Sequence, residues 1–213
     1  MLLKRPESNS NKMLLSAQNL SLKLGERMLF ERLSFEVKPN SVFVIEGPSG
    51  VGKSSLIRLC TKEMDPTSGN IERNALWGEI PQNLALNEEL STEENIHLAQ
   101  LKGLSLWDSM LSSKQSLAEK KRREFGIPAG DKPIKYLSGG ERQRVAIVRA
   151  LLEPWKILFA DEPISQLDEA NAEQALKALS EEAKNRSGAL VLVLHHGELA
   201  KKYGTHFLKL GSP

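Results

Sequence analysis

The sequence has little cysteine and no long apolar run. Cys60 is the only cysteine in 213 residues, which excludes an internal disulfide and a zinc site built from several cysteines. It lies in an apolar helical pattern, so we expect a packed thiol. The run ALVLVL at 189–194 has the length of a strand and is far shorter than the ~20 residues of a membrane-spanning helix. Any membrane role therefore requires a partner.

The chain also lacks a strong excess of charge of either sign. Its formal net charge is +2, which does not indicate a polyanionic partner, and direct binding of nucleic acid is not expected. The first residues, MLLKRPESNSNK, place their basic residues after the apolar start, the wrong order for a signal peptide. With 40% hydrophobic and 26% charged residues, the composition is that of a globular protein with a buried core.

Patterning along the chain predicts an α/β protein. Residues 1–11 are predicted to be a flexible tail, and 13–37 contain short β-like runs. VFVIEG at 42–47 is typical of a strand buried in a parallel sheet, and a helical pattern follows it. Residues 84–153 are helix-like, and β/α alternation then resumes with a helix from about Asp168 to Asn185. We expect one domain over 12–213, with a core at 12–83 and 154–213 and an inserted helical lobe at 84–153.

A glycine-rich loop follows the first buried strand. GPSGVGKS at 47–54 matches the pattern G-x-x-x-x-G-K-[ST], in which backbone N–H groups surround phosphates at the start of a helix. In such a loop, Lys53 reaches the β- and γ-phosphates and the Ser54 hydroxyl binds Mg²⁺. A chance glycine-rich turn is the alternative, but the required strand and helix flank this loop. The predicted nucleotide-binding residues here are Gly47, Pro48, Ser49, Gly50, Val51, Gly52, Lys53, Ser54 and Ser55.

Two adjacent carboxylates end a second apolar strand. ILFADEP at 157–163 carries Asp161 and Glu162 at the strand end, where ligands bind in open α/β sheets. Asp161 is suited to Mg²⁺ coordination, and Glu162 to orienting and deprotonating a water that attacks the γ-phosphate. The alternative is a solvated acidic turn before Pro163.

A serine–glycine motif, LSGGERQR at 137–144, resembles the signature of ABC ATPases, and the motifs around it follow that family's order. Ser138, Gly139 and Gly140 would begin a helix and present a second anion-binding N-terminus. The resemblance implies that this tip contacts the γ-phosphate held by the opposite subunit. An ordinary capping box between Ser138 and Glu141 is compatible with that role.

Further residues match this family position by position. Gln82 resembles the glutamine between the core and the helical lobe, which contacts Mg²⁺ and the membrane partner. Asp168 resembles the acid of the loop across the dimer interface, and His195 the switch histidine, with His196 as the alternative. Leu24 stands where the family carries an aromatic residue against adenine, so base binding would lack a π-face.

The resemblance implies a P-loop NTPase core with a parallel sheet, an N-terminal antiparallel β subdomain and an inserted α-helical lobe. It implies ATP and Mg²⁺ as cofactors and a second copy, or a paralogous subunit, as dimer partner. Nucleotide-driven closure and opening of that dimer would power integral membrane permease subunits from the cytoplasmic face of the membrane. GGERQR with FADEP most resembles the branch of lipoprotein release, macrolide efflux and cell division. A soluble ABC-type ATPase and a regulatory one coupling turnover to signalling are the alternatives.

Overall fold

The computed structural model describes residues 13–101 and 111–211; the tail expected at 1–11 lies outside them. The strands are β1 (Leu15–Leu24), β2 (Arg27–Val37), β3 (Ser41–Glu46), β4 (Ser68–Arg73), β5 (Trp77–Ile80), β6 (Ile157–Asp161), β7 (Ala189–Val193) and β8 (His206–Lys209). The α-helices are α1 (Lys53–Thr61), α2 (Thr92–Leu101), α3 (Leu111–Glu124), α4 (Gly139–Leu152), α5 (Glu169–Asn185) and α6 (Gly197–Tyr203). A 3₁₀ turn at Ile134–Tyr136 precedes α4.

The central sheet is parallel and has the strand order β5-β6-β7-β3-β8. Strands β6 and β7 are buried along their whole length, as their continuous apolar sequences predict. Successive side chains alternate between two cores. Leu158 and Leu190 pack with α4 and α5 on one face, whereas Ile157 and Val191 pack with α1 and the second sheet on the other.

The second sheet is antiparallel, with the order β2-β1-β4, which confirms the predicted antiparallel β subdomain. A tight turn at residues 25–26 joins β1 to β2, and Gly25 adopts a φ of 58° there. Leu20 and Phe30 from this sheet pack in the same core as α1. That core also buries Cys60, and burial raises the pKa of its thiol to about 12, so the predicted packed thiol is confirmed.

Helices α2, α3 and α4 lie in sequence between β5 and β6, as expected for a helical insertion. Helix α4 packs its apolar face, including Val145 and Ile147, in the same core as the parallel sheet. The division of the chain at 83/84 and 153/154 stays a prediction. Across the described ranges, no helix combines the length and the apolar character needed to cross a bilayer.

Candidate active site

The predicted chemical groups follow four neighbouring strands of the parallel sheet. The glycine loop follows β3, the carboxylates follow β6, His195 follows β7 and Gln82 follows β5. Because all these strands run in the same direction, their carboxyl ends meet at one edge, the usual position of ligands in such sheets.

The loop at 47–52 turns through backbone conformations that glycine adopts readily. Gly47, Gly50 and Gly52 have φ values of 149°, 73° and 107°. A Cβ on Gly47 would lie 2.6 Å from the carbonyl oxygen of Leu210, so the position has no room for a side chain. Within the described residues, no backbone N–H of this loop donates a hydrogen bond. These free donors form an anion-binding concavity at the start of α1.

Lys53 is buried directly beneath this loop. Its Nζ donates to the carbonyl oxygens of Gly47, at 2.8 Å, and Pro48, at 2.9 Å. An ammonium group has three hydrogens, so one remains for a phosphate oxygen.

Asp161 lies at the end of β6 and is 6% exposed. Burial raises the pKa of its carboxyl, whereas the hydrogen bond with the Ser54 side chain lowers it. Its second oxygen, Oδ1, is buried and has no hydrogen-bond partner in the described part of the chain. A buried carboxylate oxygen without a partner, next to a serine hydroxyl, suits a hard divalent cation such as Mg²⁺.

Glu162 follows Asp161 directly after the end of β6. Its φ of 54° lies in the left-handed region, which costs a non-glycine residue about 1–3 kcal/mol. Its Oε1 lies 2.8 Å from Nε2 of His195, whereas the His196 side chain makes no capping bond at the start of α6. The structure thus brings His195, and not His196, to the carboxylate that could activate a water.

The signature residues form the N-terminus of α4. Ser138 Oγ accepts from the backbone N–H of Glu141 at 3.3 Å, and Glu141 Oε2 accepts from the Ser138 N–H at 2.8 Å. The capping box is therefore confirmed. The Gln166 side chain occupies the space that a Cβ on Gly139 would need, and the Gln166 carbonyl oxygen lies 3.0 Å from where one on Gly140 would be.

Three predicted residues lie at the margin of this arrangement. Asp168 caps α5 and accepts from the Asn171 N–H at 2.9 Å and from the Asn171 side-chain amide at 2.7 Å. These two hydrogen bonds lower the pKa of the Asp168 carboxyl. Gln82 is exposed in the turn after β5, and its side chain bonds to no other described residue. Leu24 is 46% exposed at the end of β1. Strand β1 pairs with β2 in a hairpin, and Leu29 on β2 lies next to Gly52.

One site residue was missed in the sequence. Gln143 is 1% exposed and donates to the carbonyl oxygen of Glu162 at 2.9 Å. The available signal was its place on the helical face that also carries Ala146, Ile147 and Ala150, all of them buried. A polar residue on an otherwise apolar stripe must have hydrogen-bond partners inside the protein.

The parallel sheet, the glycine loop with its buried lysine and the carboxylate pair define a P-loop nucleoside triphosphatase fold. Residues 30–165 match the model of the family described as ABC transporter. The chain belongs to the ABC transporter family and is one of its ATP-binding, ATP-hydrolysing subunits. The fold, the family and the ATPase activity predicted from the sequence are confirmed.

Similar proteins include subunits of both importers and exporters. The chain is 31% identical over 214 residues to the phosphonates import ATP-binding protein PhnC of Maricaulis maris (strain MCS10), with 89% of this chain and 81% of the relative covered. It is 33% identical over 186 residues to the cytochrome c biogenesis ATP-binding export protein CcmA of Zymomonas mobilis subsp. mobilis (strain ATCC 31821 / ZM4 / CP4), with coverages of 86% and 79%. The assignment to a branch of the family stays a prediction.

Solved structures share the fold. An ATP-binding subunit of an ABC transporter superposes with a TM-score of 0.80 at 27% identity, covering 92% of this chain and 85% of the other. A dimeric ATP-binding cassette, in a post-hydrolysis state bound to ADP and Pi, gives a TM-score of 0.80 at 23% identity, with coverages of 92% and 94%.

Proposed function

We propose that two copies of this chain bind two ATP molecules between them and that hydrolysis at these shared sites drives integral membrane permease subunits. The observation that carries the proposal is that the two anion-binding helix tips of one copy share no hydrogen bond among the described residues. The tip of α1 joins the carboxylate edge through Ser54 and Asp161, whereas the Ser138 hydroxyl at the tip of α4 bonds to Glu141 in its own capping box. A triphosphate on the first tip leaves the second for another molecule's γ-phosphate.

ATP binding in one copy rests on the glycine loop. The backbone N–H groups of the loop, which Pro48 lacks, would bind the β- and γ-phosphate oxygens together with the third Lys53 hydrogen, and Ser55 would extend these contacts into α1. Ser54 and Asp161 would hold Mg²⁺, with Gln82 as a further ligand from the neighbouring turn. When bound, this cation neutralises charge on the β- and γ-phosphates.

Hydrolysis would use the carboxylate of Glu162. In this step the water oxygen bonds to the γ-phosphorus, the bond from that phosphorus to the bridging oxygen breaks, and ADP leaves with the bridging oxygen. Glu162 takes the proton of the attacking water. The 2.8 Å contact with His195 would orient the carboxylate, and the same imidazole would contact the γ-phosphate once ATP occupies the loop.

The second half of the reaction centre would come from the other copy. Its Ser138, Gly139 and Gly140 would bring hydroxyl and N–H donors to the γ-phosphate, and its Asp168 would lie in the loop that crosses the interface. After hydrolysis the phosphate that joins the two copies is gone, and the dimer opens. Opening and closing would move permease subunits docked on the inner face of the cell membrane.

The relatives named as import and export proteins support a transport role. They leave the direction of transport open, since both directions occur among them.

The test of this function is the ATP-dependent dimer of Glu162→Gln. Loss of the general base should slow hydrolysis about 100-fold or more and retain ATP between two copies, so size-exclusion chromatography with MgATP should show a dimer. The matched control is the double variant with Lys53→Ala, which lacks ATP binding and should elute as a monomer. A monomeric Glu162→Gln protein at high protein and ATP concentration would contradict the shared site.

A further inference from the structure

Gln143 connects the helix that begins at Ser138 to the loop that carries Glu162. It lies on α4, five residues after the N-cap, and its amide is almost completely buried. Nε2 donates to the carbonyl oxygen of Glu162 at 2.9 Å and to Ser165 Oγ at 3.4 Å. Oε1 accepts from the backbone N–H of Gln166 at 2.7 Å. The Gln143 side chain therefore joins α4 to the loop at 162–166 through both its amide nitrogen and its amide oxygen.

The position requires a glutamine for a chemical reason. A buried polar side chain must be satisfied, and an amide offers both a donor and an acceptor. The donor here meets a carbonyl oxygen and the acceptor meets an N–H, so both capacities are used. An apolar side chain of similar length would fill the same space but would leave the Gln166 N–H without its partner.

The backbone of Glu162 depends on such outside contacts. Its φ of 54° persists only where the surroundings hold it in place. The Glu162 N–H donates to the Val193 carbonyl at 3.2 Å, and the Glu162 carbonyl accepts from the Ser165 N–H at 3.2 Å. The bond from Gln143, at 2.9 Å, is shorter than both and comes from α4. The direction of the Glu162 carboxylate is thus tied to the position of that helix.

The tip of α4 touches the same loop a second time. Gln166 covers the backbone of Gly139 and Gly140, as the close approaches of its side chain and carbonyl oxygen show. Movement of the tip must therefore be accompanied by movement of residues 162–166, or it must break the three hydrogen bonds of Gln143.

We propose that Gln143 is a positioning residue that transmits the engagement of the α4 tip to the catalytic carboxylate of its own copy. When Ser138 meets the γ-phosphate held by the second copy, α4 becomes fixed, and Gln143 then fixes the backbone of Glu162 in the orientation that hydrolysis needs. Each ATP site would in this way prepare the other. The proposal rests on the shared sites of the proposed function.

The test compares steady-state ATP hydrolysis by wild type, Gln143→Met and Gln143→Glu. Both variants lose the donor to Glu162, but Gln143→Glu keeps an acceptor for the Gln166 N–H. We expect kcat to fall about 10- to 100-fold in each, as for a misaligned catalytic group, with KM for ATP within about twofold. Gln174→Met is the matched control, since the Gln174 amide also donates to a carbonyl oxygen, that of Glu124, on the helical lobe. It should retain wild-type kcat.

A second measurement separates positioning from a merely structural role. In the Glu162→Gln background, Gln143→Met should cause no further loss of hydrolysis and should still give the MgATP dimer, because no carboxylate remains to be positioned. Unchanged kcat in the single variants, or an equal loss in the Glu162→Gln background, would overturn the role of Gln143. If Glu162→Gln alone forms no dimer, the proposed function fails instead, so the two failures are distinguishable.

Discussion

Nε2 of His195 lies 2.8 Å from Oε1 of Glu162, and the register of two strands brings them together. Asp161 on β6 pairs with Val193 on β7, so the residues just beyond these pairs emerge side by side at the edge of the sheet. The contact links a group suited to taking a proton from water with a group suited to binding the γ-phosphate.

This contact predicts different effects for the two adjacent histidines. His195→Ala should lower kcat for ATP about 100-fold, because an oriented carboxylate and a phosphate contact are lost together. His196→Ala should retain activity within about twofold, since the His196 side chain is exposed and bonds to nothing at the start of α6. Steady-state phosphate release measures both. The reverse order of the two effects would assign the switch role to His196.

The buried Oδ1 of Asp161 has no hydrogen-bond partner among the described residues, and we predict that it binds Mg²⁺. In wild type, MgATP should raise the melting temperature more than ATP with EDTA does, because the cation and the nucleotide bind the folded state together. Asp161→Asn should abolish that difference, since an amide replaces the anionic ligand. Asp131→Asn, in the exposed segment before α4, is the control and should preserve it. An undiminished Mg²⁺ effect in Asp161→Asn would exclude Asp161 as a ligand.

Because Leu24 stands at the position expected to contact adenine, we predict that this contact is weak. Its side chain is 46% exposed at the end of β1 and provides an apolar surface without a π-face. Leu24→Tyr should tighten ATP binding by about 2- to 10-fold through stacking on adenine, as measured by equilibrium titration. Leu76→Tyr, at an exposed leucine before β5, should leave affinity unchanged. In wild type, GTP should compete with ATP nearly equally, and a strong preference for ATP would argue against this role of Leu24.

Glu79 predicts a pH-dependent stability. Burial first, and then the neighbouring Glu63, raise the pKa of Glu79 to about 7. At pH values between the ordinary pKa of a glutamate and about 7, the Glu79 carboxyl keeps its proton in the folded chain and loses it in the unfolded chain. Stability contributed by the protonated form is therefore lost as pH rises through this window.

Glu79→Gln should accordingly raise the melting temperature at about pH 8, by about 2–4 °C if ionisation costs 1 kcal/mol, and should have little effect at about pH 5. Glu72→Gln, exposed on β4, is the control and should show no such pH dependence. Differential scanning calorimetry at the two pH values measures the difference. An equal gain at both would mean that the substitution acts through packing rather than through charge.

The sequence predicts those parts of the site that local patterns encode. The spacing of residues 47–54 requires a glycine loop before a helix, and an apolar strand before Asp161 and Glu162 places them at a sheet edge. The Ser138–Glu141 capping box and the helix expected from about Asp168 to Asn185 are likewise local. The observed helix is Glu169–Asn185, with Asp168 as its cap.

The remaining features depend on contacts between distant segments. The pairing of β6 with β7 sets the Glu162–His195 distance, and no short pattern encodes that register. The left-handed backbone of Glu162 and its bond to Gln143 arise only after α4 packs against the core. The same holds for Glu79 and Glu63, which are 16 positions apart in the sequence and approach one another in the fold.

The measurement that tests the shared reaction centre most directly is hydrolysis by mixed variants. The Lys53→Ala variant lacks the ammonium group that binds the phosphates, and in the Ser138→Arg variant the long side chain blocks the N-terminus of α4. Each protein alone should therefore hydrolyse ATP at about 1% of the wild-type rate or less. Mixing the two should raise hydrolysis above the rate of either variant alone, because one site per mixed dimer combines an intact loop with an intact tip. The rate should stay below that of wild type, because the copy with the intact loop carries the blocked tip. Wild-type hydrolysis by Ser138→Arg alone would show that one copy holds a complete centre and would contradict the account.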